Sequence, residues 1–581
     1  MTEERVSVRF VWIAVAMGVA MAGLLCRLVY LHLGANDRDR KQVTQTRVYR
    51  ETLAVPRGTI TDASGARNIL AVNAGVKDVW VDPAPLVASN RVKETAAQLA
   101  SVLGVDLNGV EARLDKPGRH FAYVARYVPE DRAAAAARLQ LPFVHFADGM
   151  ARSYPQGNLL CHVLGFVNYD GVGAGGVEQY MNAYLKGAPG LLESALDGRR
   201  REMFDRRTQE IPPQDGADVV LTIDVNLQFM VERALDTAME RHRARAAWAI
   251  LQRIRTGEIL AMASRPAFDP NNFKAATDDE KLNRAIGDVY EPGSTFKVGV
   301  ISGALNEGIV KPGDVFDCEN GRWLYQNKIL RDYHPYSRLD VADILKKSSN
   351  IGAAKIAILL GSERLDRYLR GFNIGSRLGL DLPGEESGIL PPLSKWSAIS
   401  SSRIAIGQGV GVTALQMLGI VCAIANDGRV MKPYVVREVV GNNGQTLLRR
   451  EPQALGRPIR VETAALMRTL LTRVTEDGGT GVKARVDGFR VAGKTGTAQK
   501  VVGGHYSETD YMASFVGFLP ADNPDIGLIV VVDDPQPLHT GGTVAAPVFG
   551  EVAEQAVRYL GILPPPPAVA DNNPSYPRTS R

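Results

Sequence analysis

Patterned cysteine is missing from this chain. Its four cysteines, Cys26, Cys161, Cys318 and Cys422, are widely scattered, form no C-x-x-C pair and have no histidine at metal-ligand spacing. Neither a disulfide framework nor a zinc site is indicated, and no metal or cofactor is expected. Internal repeats are also missing, as are basic runs interleaved with aromatics. The arginine patches, Arg199-Arg200-Arg201 and Arg241 to Arg245, are short, and the net charge is only +5 over 581 residues. Such patches suit solvated faces or contacts with an anionic surface, so nucleic-acid binding is not expected.

What is present is the composition of a folded protein, 45% hydrophobic and 23% charged. The length exceeds one ordinary core, so two or more folded units are expected. One uncharged run, Phe10 to Cys26, extends to Leu33 if Arg27 snorkels, long enough to cross a bilayer. No small-residue cleavage site follows it, and Leu25 precedes Cys26 where a lipoprotein signal wants a small residue. We therefore expect an uncleaved anchor over 10–33 behind a cytoplasmic tail, 1–9. Flanking charge does not orient it: Arg5 and Arg9 are offset by Glu3 and Glu4, and Arg38, Arg40 and Lys41 follow the span. The short tail makes the large C-terminal part the exported one. Ala14, Gly18 and Ala22 recur every four residues, a face that lets another helix approach, although small residues are also common in membrane helices generally.

Further along, Val55 to Asp62, Gly65 and Ile69 to Val72 read as strand, turn and strand, and residues 88–140 as helices alternating with turns. This mixed α/β stretch, 34–217, carries no chemistry of its own and ends at Ile211-Pro212-Pro213-Gln214-Asp215-Gly216. A second domain, 218–560, reads as α+β. It opens with a strand and a helix starting near Asp224, followed by a hairpin (Ala246 to Leu251, Ile259 to Ser264). A helical middle runs over about 296–430, and strands return at Met512 to Phe518 and Ile526 to Val532. The tail, 561–581, begins with Pro564 to Pro567 and reads as disordered.

The chemistry concentrates in three short stretches of that second domain. In Glu291-Pro292-Gly293-Ser294-Thr295-Phe296-Lys297, a Pro-Gly break precedes a helix, which sets Ser294 and Lys297 one turn apart on the same face. A hydroxyl beside an amine at a helix start is a nucleophile beside its base. Ser348-Ser349-Asn350 and Lys494-Thr495-Gly496-Thr497 follow in that order. Singly these are an N-cap, a turn and a strand edge. Together they form the S-x-x-K, S-x-N and K-T-G set of serine acyl-transfer enzymes. Lys297 serves as base only when neutral, and burial beside Lys494 pushes its pKa in that direction. Ser348 is placed to relay the proton to a departing amine, and Asn350 to hold a substrate backbone. Lys494, Thr495 and Thr497 suit a carboxylate, Gly496 permits close approach, and the backbone N–H groups of Ser294 and Thr497 are candidate oxyanion donors. None of the eight histidines falls in these motifs.

These residues resemble the class B penicillin-binding proteins, the transpeptidases that cross-link peptidoglycan. The resemblance spans nearly the whole chain. Arg57-Gly58-Thr59-Ile60-Thr61-Asp62 and Leu70-Ala71 look like the start of the family's pedestal. Tyr154-Pro155, His162 to Phe166 and Gly176-Val177-Glu178 look like its second block. Leu221-Thr222-Ile223-Asp224, Phe268-Asp269-Pro270-Asn271, Leu382-Pro383-Gly384-Glu385 and Gly407-Gln408-Gly409 look like its catalytic domain. The resemblance implies an elongated α/β pedestal domain, then a β-lactamase-like domain with an antiparallel sheet and helices on both sides.

By resemblance, Ser294 attacks a stem pentapeptide ending in D-Ala-D-Ala, and β-lactams acylate the same residue. Gly165-Phe166-Val167-Asn168 with Asp170-Gly171, and Ala513 to Ala521, look more like the division-specific transpeptidase than the elongation one. That implies a septal SEDS-type glycosyltransferase and other divisome membrane proteins as partners, and, with no repeated module after the catalytic domain, the inner membrane of a Gram-negative-type envelope. The other readings are an elongation enzyme, a membrane-anchored serine β-lactamase using Glu385 or Glu386 to activate water, and a β-lactam receptor. Residues 1–9 leave such a receptor no room for an output domain.

Overall fold

In the computed structural model, which describes residues 3–33, 48–53, 55–65, 67–196, 202–203, 207 and 209–564, the apolar N-terminal run forms one helix, α1 (Glu3–Leu33). Its Phe10–His32 portion is 23 residues long and unburied, long and apolar enough to cross a membrane. The Arg199-Arg200-Arg201 patch and the tail after Pro564 lie outside the described residues.

The chain divides into two compact units, Met1–Pro56 with Gly187–Asp215, and Arg57–Lys186 with Gly216–Arg581. The first holds α1 and a small antiparallel sheet in which Val48–Leu53 and Gln209–Ile211 flank Gly190–Leu196. In the second, a seven-stranded sheet runs from Thr446–Arg449 through Val436–Val440, Asp218–Leu221 and Ile60–Thr61 to Ile69–Val81, which pairs with both Ala122–Pro129 and Val144–Ser153. Ile60 and Thr61 lie parallel to Val219 and Val220, and Val219 N–H donates to Thr59 O at 2.8 Å. The expected division at 217/218 therefore falls between neighbouring strands of one sheet. A two-residue buried strand cannot satisfy its backbone alone, and it takes partners on both edges.

Some strands went unread in the sequence. Ala122–Pro129 lies within the stretch expected to be helix and turn, and it buries Ala122, Val124 and Val128 against Leu86, Leu99 and Leu103. Its apolar positions alternate with exposed Tyr123 and half-exposed Ala125, a period of two that the neighbouring Ala-rich helices obscured.

The chemistry rests on a five-stranded antiparallel sheet. Its strands are β1 (Ala246–Arg253), β2 (Ile259–Arg265), β3 (Ala492–Val502), β4 (His505–Leu519) and β5 (Ile526–Asp533), in the order β2-β1-β5-β4-β3. Central strands are apolar at nearly every position because both faces are covered. Ala247, Ala249 and Leu251 of β1 pack with Leu227, Val231 and Leu235 of α2 (Val225–His242) and Phe549 and Val552 of α7 (Ala545–Tyr559). The alternate residues, Ala246, Trp248 and Ile250, join the helical layer of α3 (Lys297–Asn306), α4 (Val341–Lys347), α5 (Asn350–Leu360) and α6 (Ala414–Ala425). Each such Ile, Leu or Phe contributes about 1.5–3 kcal/mol on burial, so the sheet is a rigid floor between two helical layers. The expected helical middle also contains a hairpin, Arg322–Tyr325 with Lys328–Arg331. The β3 strand is an edge, and its unpaired side faces the turn Gly293–Phe296 that leads into α3.

Candidate active site

The Pro-Gly break does more than start a helix. Gly293–Phe296 forms a 3-10 turn that runs directly into α3. Gly293 has φ +56°, and a Cβ there would lie 2.9 Å from Thr497 O; a Cβ on Gly407 would lie 2.5 Å from Gly293 N. Glycine at both positions lets the turn sit clamped between β3 and the Gly407 loop. Within that turn the Lys297 Nζ lies 2.9 Å from Ser294 Oγ.

The second stretch is a junction between two helices. Ser348 caps the C-terminus of α4 in the left-handed region (φ 63°), and Ser349 caps the N-terminus of α5, its Oγ accepting from Gly352 N at 3.0 Å. A serine held left-handed costs about 1–2 kcal/mol relative to ordinary backbone. The conformation turns both its carbonyl and its hydroxyl toward Lys297.

Four oxygens surround the Lys297 amine: Ser348 O at 2.6 Å, Asn350 Oδ1 at 2.7 Å, Ser294 Oγ at 2.9 Å and Ser348 Oγ at 3.3 Å. Asn350 Nδ2 donates to Arg331 O at 2.8 Å, which fixes its Oδ1 toward the lysine. The Ser348 carbonyl and Asn350 Oδ1 only accept. A neutral amine gives them its two N–H bonds, and its lone pair is left for a hydroxyl, with Ser294 the nearer. Burial pushes Lys297 down to about 7, and the charge of Asp332 opposes that push. Near neutral pH a large fraction of Lys297 is therefore free base. The sequence reading gave Asn350 to the substrate; in the structure Oδ1 and one N–H are used inside the protein, and one N–H remains for a ligand.

The third stretch lies on β3. Lys494 Nζ lies 2.9 Å from Ser348 Oγ and 3.2 Å from Thr495 O. Burial holds it well below the ordinary lysine range, and Lys297 adds to that effect. Thr495 Oγ1 lies 2.8 Å from Thr480 Oγ1, and Thr497 Oγ1 accepts from Gly541 N at 3.0 Å. A Cβ on Gly496 would lie 2.2 Å from Ser514 Oγ and 3.1 Å from Pro292 O. The close approach at Gly496 is thus made by Ser514 of β4 and by the nucleophile turn, where the sequence alone suggested a ligand. Thr497 O faces Gly293, and in an extended strand a residue's N–H and C=O share an edge. Its N–H is accordingly on the nucleophile side, where an oxyanion donor belongs.

Ser294, Ser348, Asn350, Thr495 and Thr497 line a cleft of about 790 Å³ together with Tyr333, His334, Tyr511 and His539, and Lys297 and Lys494 lie fully buried. Sequence reasoning missed Asp332, the Tyr511–His539 stack (centroids 4.0 Å apart) and the role of Glu291. Glu291 Oε1 accepts from Gly409 N at 2.7 Å, and burial raises the Glu291 carboxyl pKa above its ordinary value. Its place three residues before Ser294 was the available signal. Among the described residues no cluster of metal-ligating side chains occurs.

The family model of the penicillin binding protein transpeptidase domain matches residues 247–554, and that of the penicillin-binding protein dimerisation domain matches residues 52–221. The chain belongs to the penicillin-binding proteins. It is 34% identical to peptidoglycan D,D-transpeptidase FtsI of Escherichia coli K12, covering 98% of this chain and 94% of that one. It is 32% identical to the probable peptidoglycan D,D-transpeptidase PenA of Neisseria meningitidis, covering 97% and 94%. Penicillin binding protein 3 of Mycobacterium tuberculosis, solved with aztreonam, superposes with TM-score 0.69 at 27% identity over 89% of this chain and 99% of that one. A peptidoglycan synthetase from Bifidobacterium adolescentis superposes with TM-score 0.71 at 26% identity over 90% and 99%.

In this penicillin-binding protein Glu385, weighed above as a water activator, accepts from the backbone N–H groups of Leu378, Gly379 and Leu380 at 2.6–3.0 Å. Both oxygens hold a loop. Glu291 is the carboxylate that lines the cleft.

Proposed function

We propose that this protein is a peptidoglycan D,D-transpeptidase that cross-links stem peptides at the division septum through an acyl-enzyme on Ser294. The observation that carries the reading is the Lys297 amine, 2.9 Å from Ser294 Oγ and 2.6 and 2.7 Å from the acceptor-only Ser348 O and Asn350 Oδ1, so that the neutral amine spends its N–H bonds on those two and keeps its lone pair for Ser294. Ser294 Oγ attacks the penultimate D-Ala carbonyl and its proton passes to Lys297. The developing oxyanion is met by the backbone N–H groups of Ser294 and Thr497. The C–N bond breaks, and the leaving D-Ala amine takes the proton through Ser348. Lys494, Thr495 and Thr497 receive the D-Ala carboxylate, whose charge raises the proton affinity of Lys494. An acceptor amine from a second stem peptide then forms the new C–N bond and the ester C–O bond breaks. The amine's proton returns through Lys297 to Ser294. β-Lactams enter the first half of this sequence and stop there.

The helix α1 anchors the protein in the cytoplasmic membrane with the catalytic part outside, and its Ala14, Gly18 and Ala22 face is offered to a SEDS-type glycosyltransferase or another divisome membrane protein. The first test is intact-mass measurement of the full chain in detergent after incubation with benzylpenicillin. A stoichiometric, persistent adduct absent from Ser294→Ala is expected. An adduct retained by Ser294→Ala overturns the nucleophile, and one that vanishes as penicillin is consumed makes the protein a hydrolase. Depletion in its native cells is expected to block septation and give filaments; rounded cells would transfer the protein to elongation.

A further inference from the structure

We infer that Asp332 is a positioning residue of this site, whose carboxylate holds the start of α5 so that Ser348 and Asn350 stay on the Lys297 amine, and whose charge is the counter-ion of Lys297. The inference rests on the reading of Ser294 as nucleophile and Lys297 as base.

Asp332 follows the hairpin strand Lys328–Arg331, and its own N–H is tied to Gly321 O at 3.1 Å. Its Oδ1 accepts from Asn350 N at 2.5 Å and Ile351 N at 3.0 Å, and its Oδ2 accepts from Ser349 Oγ at 2.7 Å. The preceding residue takes the Asn350 side chain, Nδ2 donating to Arg331 O at 2.8 Å. Two consecutive residues therefore grip Asn350 at its backbone and its amide, and the remaining end of that amide lies 2.7 Å from Lys297 Nζ. A carboxylate on the first N–H groups of an eleven-residue helix is also favoured by the helix dipole.

The electrostatics follow the same geometry. The charged group acting on Lys297 is Asp332, and the one acting on Lys494 is Lys297. Facing Asp332 besides Lys297 are the Cys318 thiol and the Tyr336 phenol, both pushed up by burial and therefore neutral near pH 7, with Lys355 and Asp317 beyond Cys318. Without Asp332 no negative charge would act on the Lys297 amine. Removing its charge makes protonated Lys297 harder to form, so the free base persists to lower pH.

The experiment measures the rate of benzylpenicillin acylation of the full chain in detergent as a function of pH. Asp332→Asn keeps the shape and an oxygen for the two backbone N–H groups, but not the charge. Its acid limb is expected to move down by roughly one pH unit, with the maximal rate lowered about tenfold. Asp332→Glu keeps the charge with altered reach, and it is expected to lose rate while its acid limb stays at the wild-type pH. A purely structural carboxylate would lower the rate without moving the limb, so an unmoved limb in Asp332→Asn overturns the inference. So does a limb displaced downward in Asp332→Glu, which decides the matter even if the asparagine variant does not fold. Ser294→Ala, run alongside, separates the two readings: an adduct there defeats the nucleophile assignment whatever Asp332 does.

Discussion

Lys297 and Lys494 are the same side chain, equally buried, in two different settings. Both are 0% exposed, and they share one hydroxyl, that of Ser348, at 3.3 Å and 2.9 Å. Lys297 sits on a helix among oxygens supplied by the protein, with Asp332 as counter-charge. Lys494 sits on an edge strand against Thr495, with no carboxylate acting on it and its pKa held well below the ordinary lysine range by burial. The amine whose environment is complete without substrate is suited to moving protons. The amine that lacks a counter-charge is suited to receiving one. Environment, not residue type, divides the work.

The strongest way to break this comparison is to remove the first amine. Lys297→Ala deletes the base, and benzylpenicillin acylation is expected to fall by roughly 10²–10⁴, with Ser294 still in place as judged by residual, slow adduct on intact-mass measurement. A loss under tenfold would mean that another group takes the proton. A smaller effect sharpens the other half. Lys494→Gln keeps a hydrogen-bond donor and removes the charge, so acylation by benzylpenicillin should fall roughly 10–100-fold, the size of a charge-assisted hydrogen bond. With the methyl ester of benzylpenicillin, which has no carboxylate, wild type and Lys494→Gln should differ little. Equal losses with acid and ester would show that Lys494 belongs to the proton path and not to the carboxylate.

The asymmetry between the lysines also marks what sequence alone discloses. Ser294, Lys297, Ser348, Asn350 and Lys494 were legible because local backbone dictates their placement: a Pro-Gly break, a helix junction and a strand edge. The two-faced burial of β1 and β5 was legible as continuous apolar runs. Asp332 was not, because its partners Ser349, Asn350 and Ile351 are brought to it only by the packing of a hairpin against α5. Nor was the use of Gly496, since the atoms that exclude a side chain there belong to Pro292 and Ser514. The same holds for the strand pairing of Ile60–Thr61 with Asp218–Leu221, which joins residues far apart in the chain across an expected boundary. Local chemistry shows in spacing; long-range contacts show only once the chain is folded.

The smallest expected effect concerns stability. An unfolded lysine holds its proton to about pH 10.4, whereas folded Lys297 releases it near 7, and Lys494 is shifted in the same direction. Between these values the unfolded chain binds more protons than the folded one, so stability rises with pH, by roughly 1.4 kcal/mol per pH unit for each group that titrates this way. Below the folded pKa the cost of the buried charge is fully present, and it is relieved progressively as the pH climbs toward the unfolded value. Urea unfolding of the full chain in detergent at pH 7.5 and 9 should show the transpeptidase transition moving to higher urea at the higher pH. In Lys297→Ala that movement should shrink by the share of one amine. If the variant keeps the full wild-type slope, Lys297 is not the group that stays neutral on folding, and the distinction between a proton-moving amine and a charge-receiving one loses its physical basis.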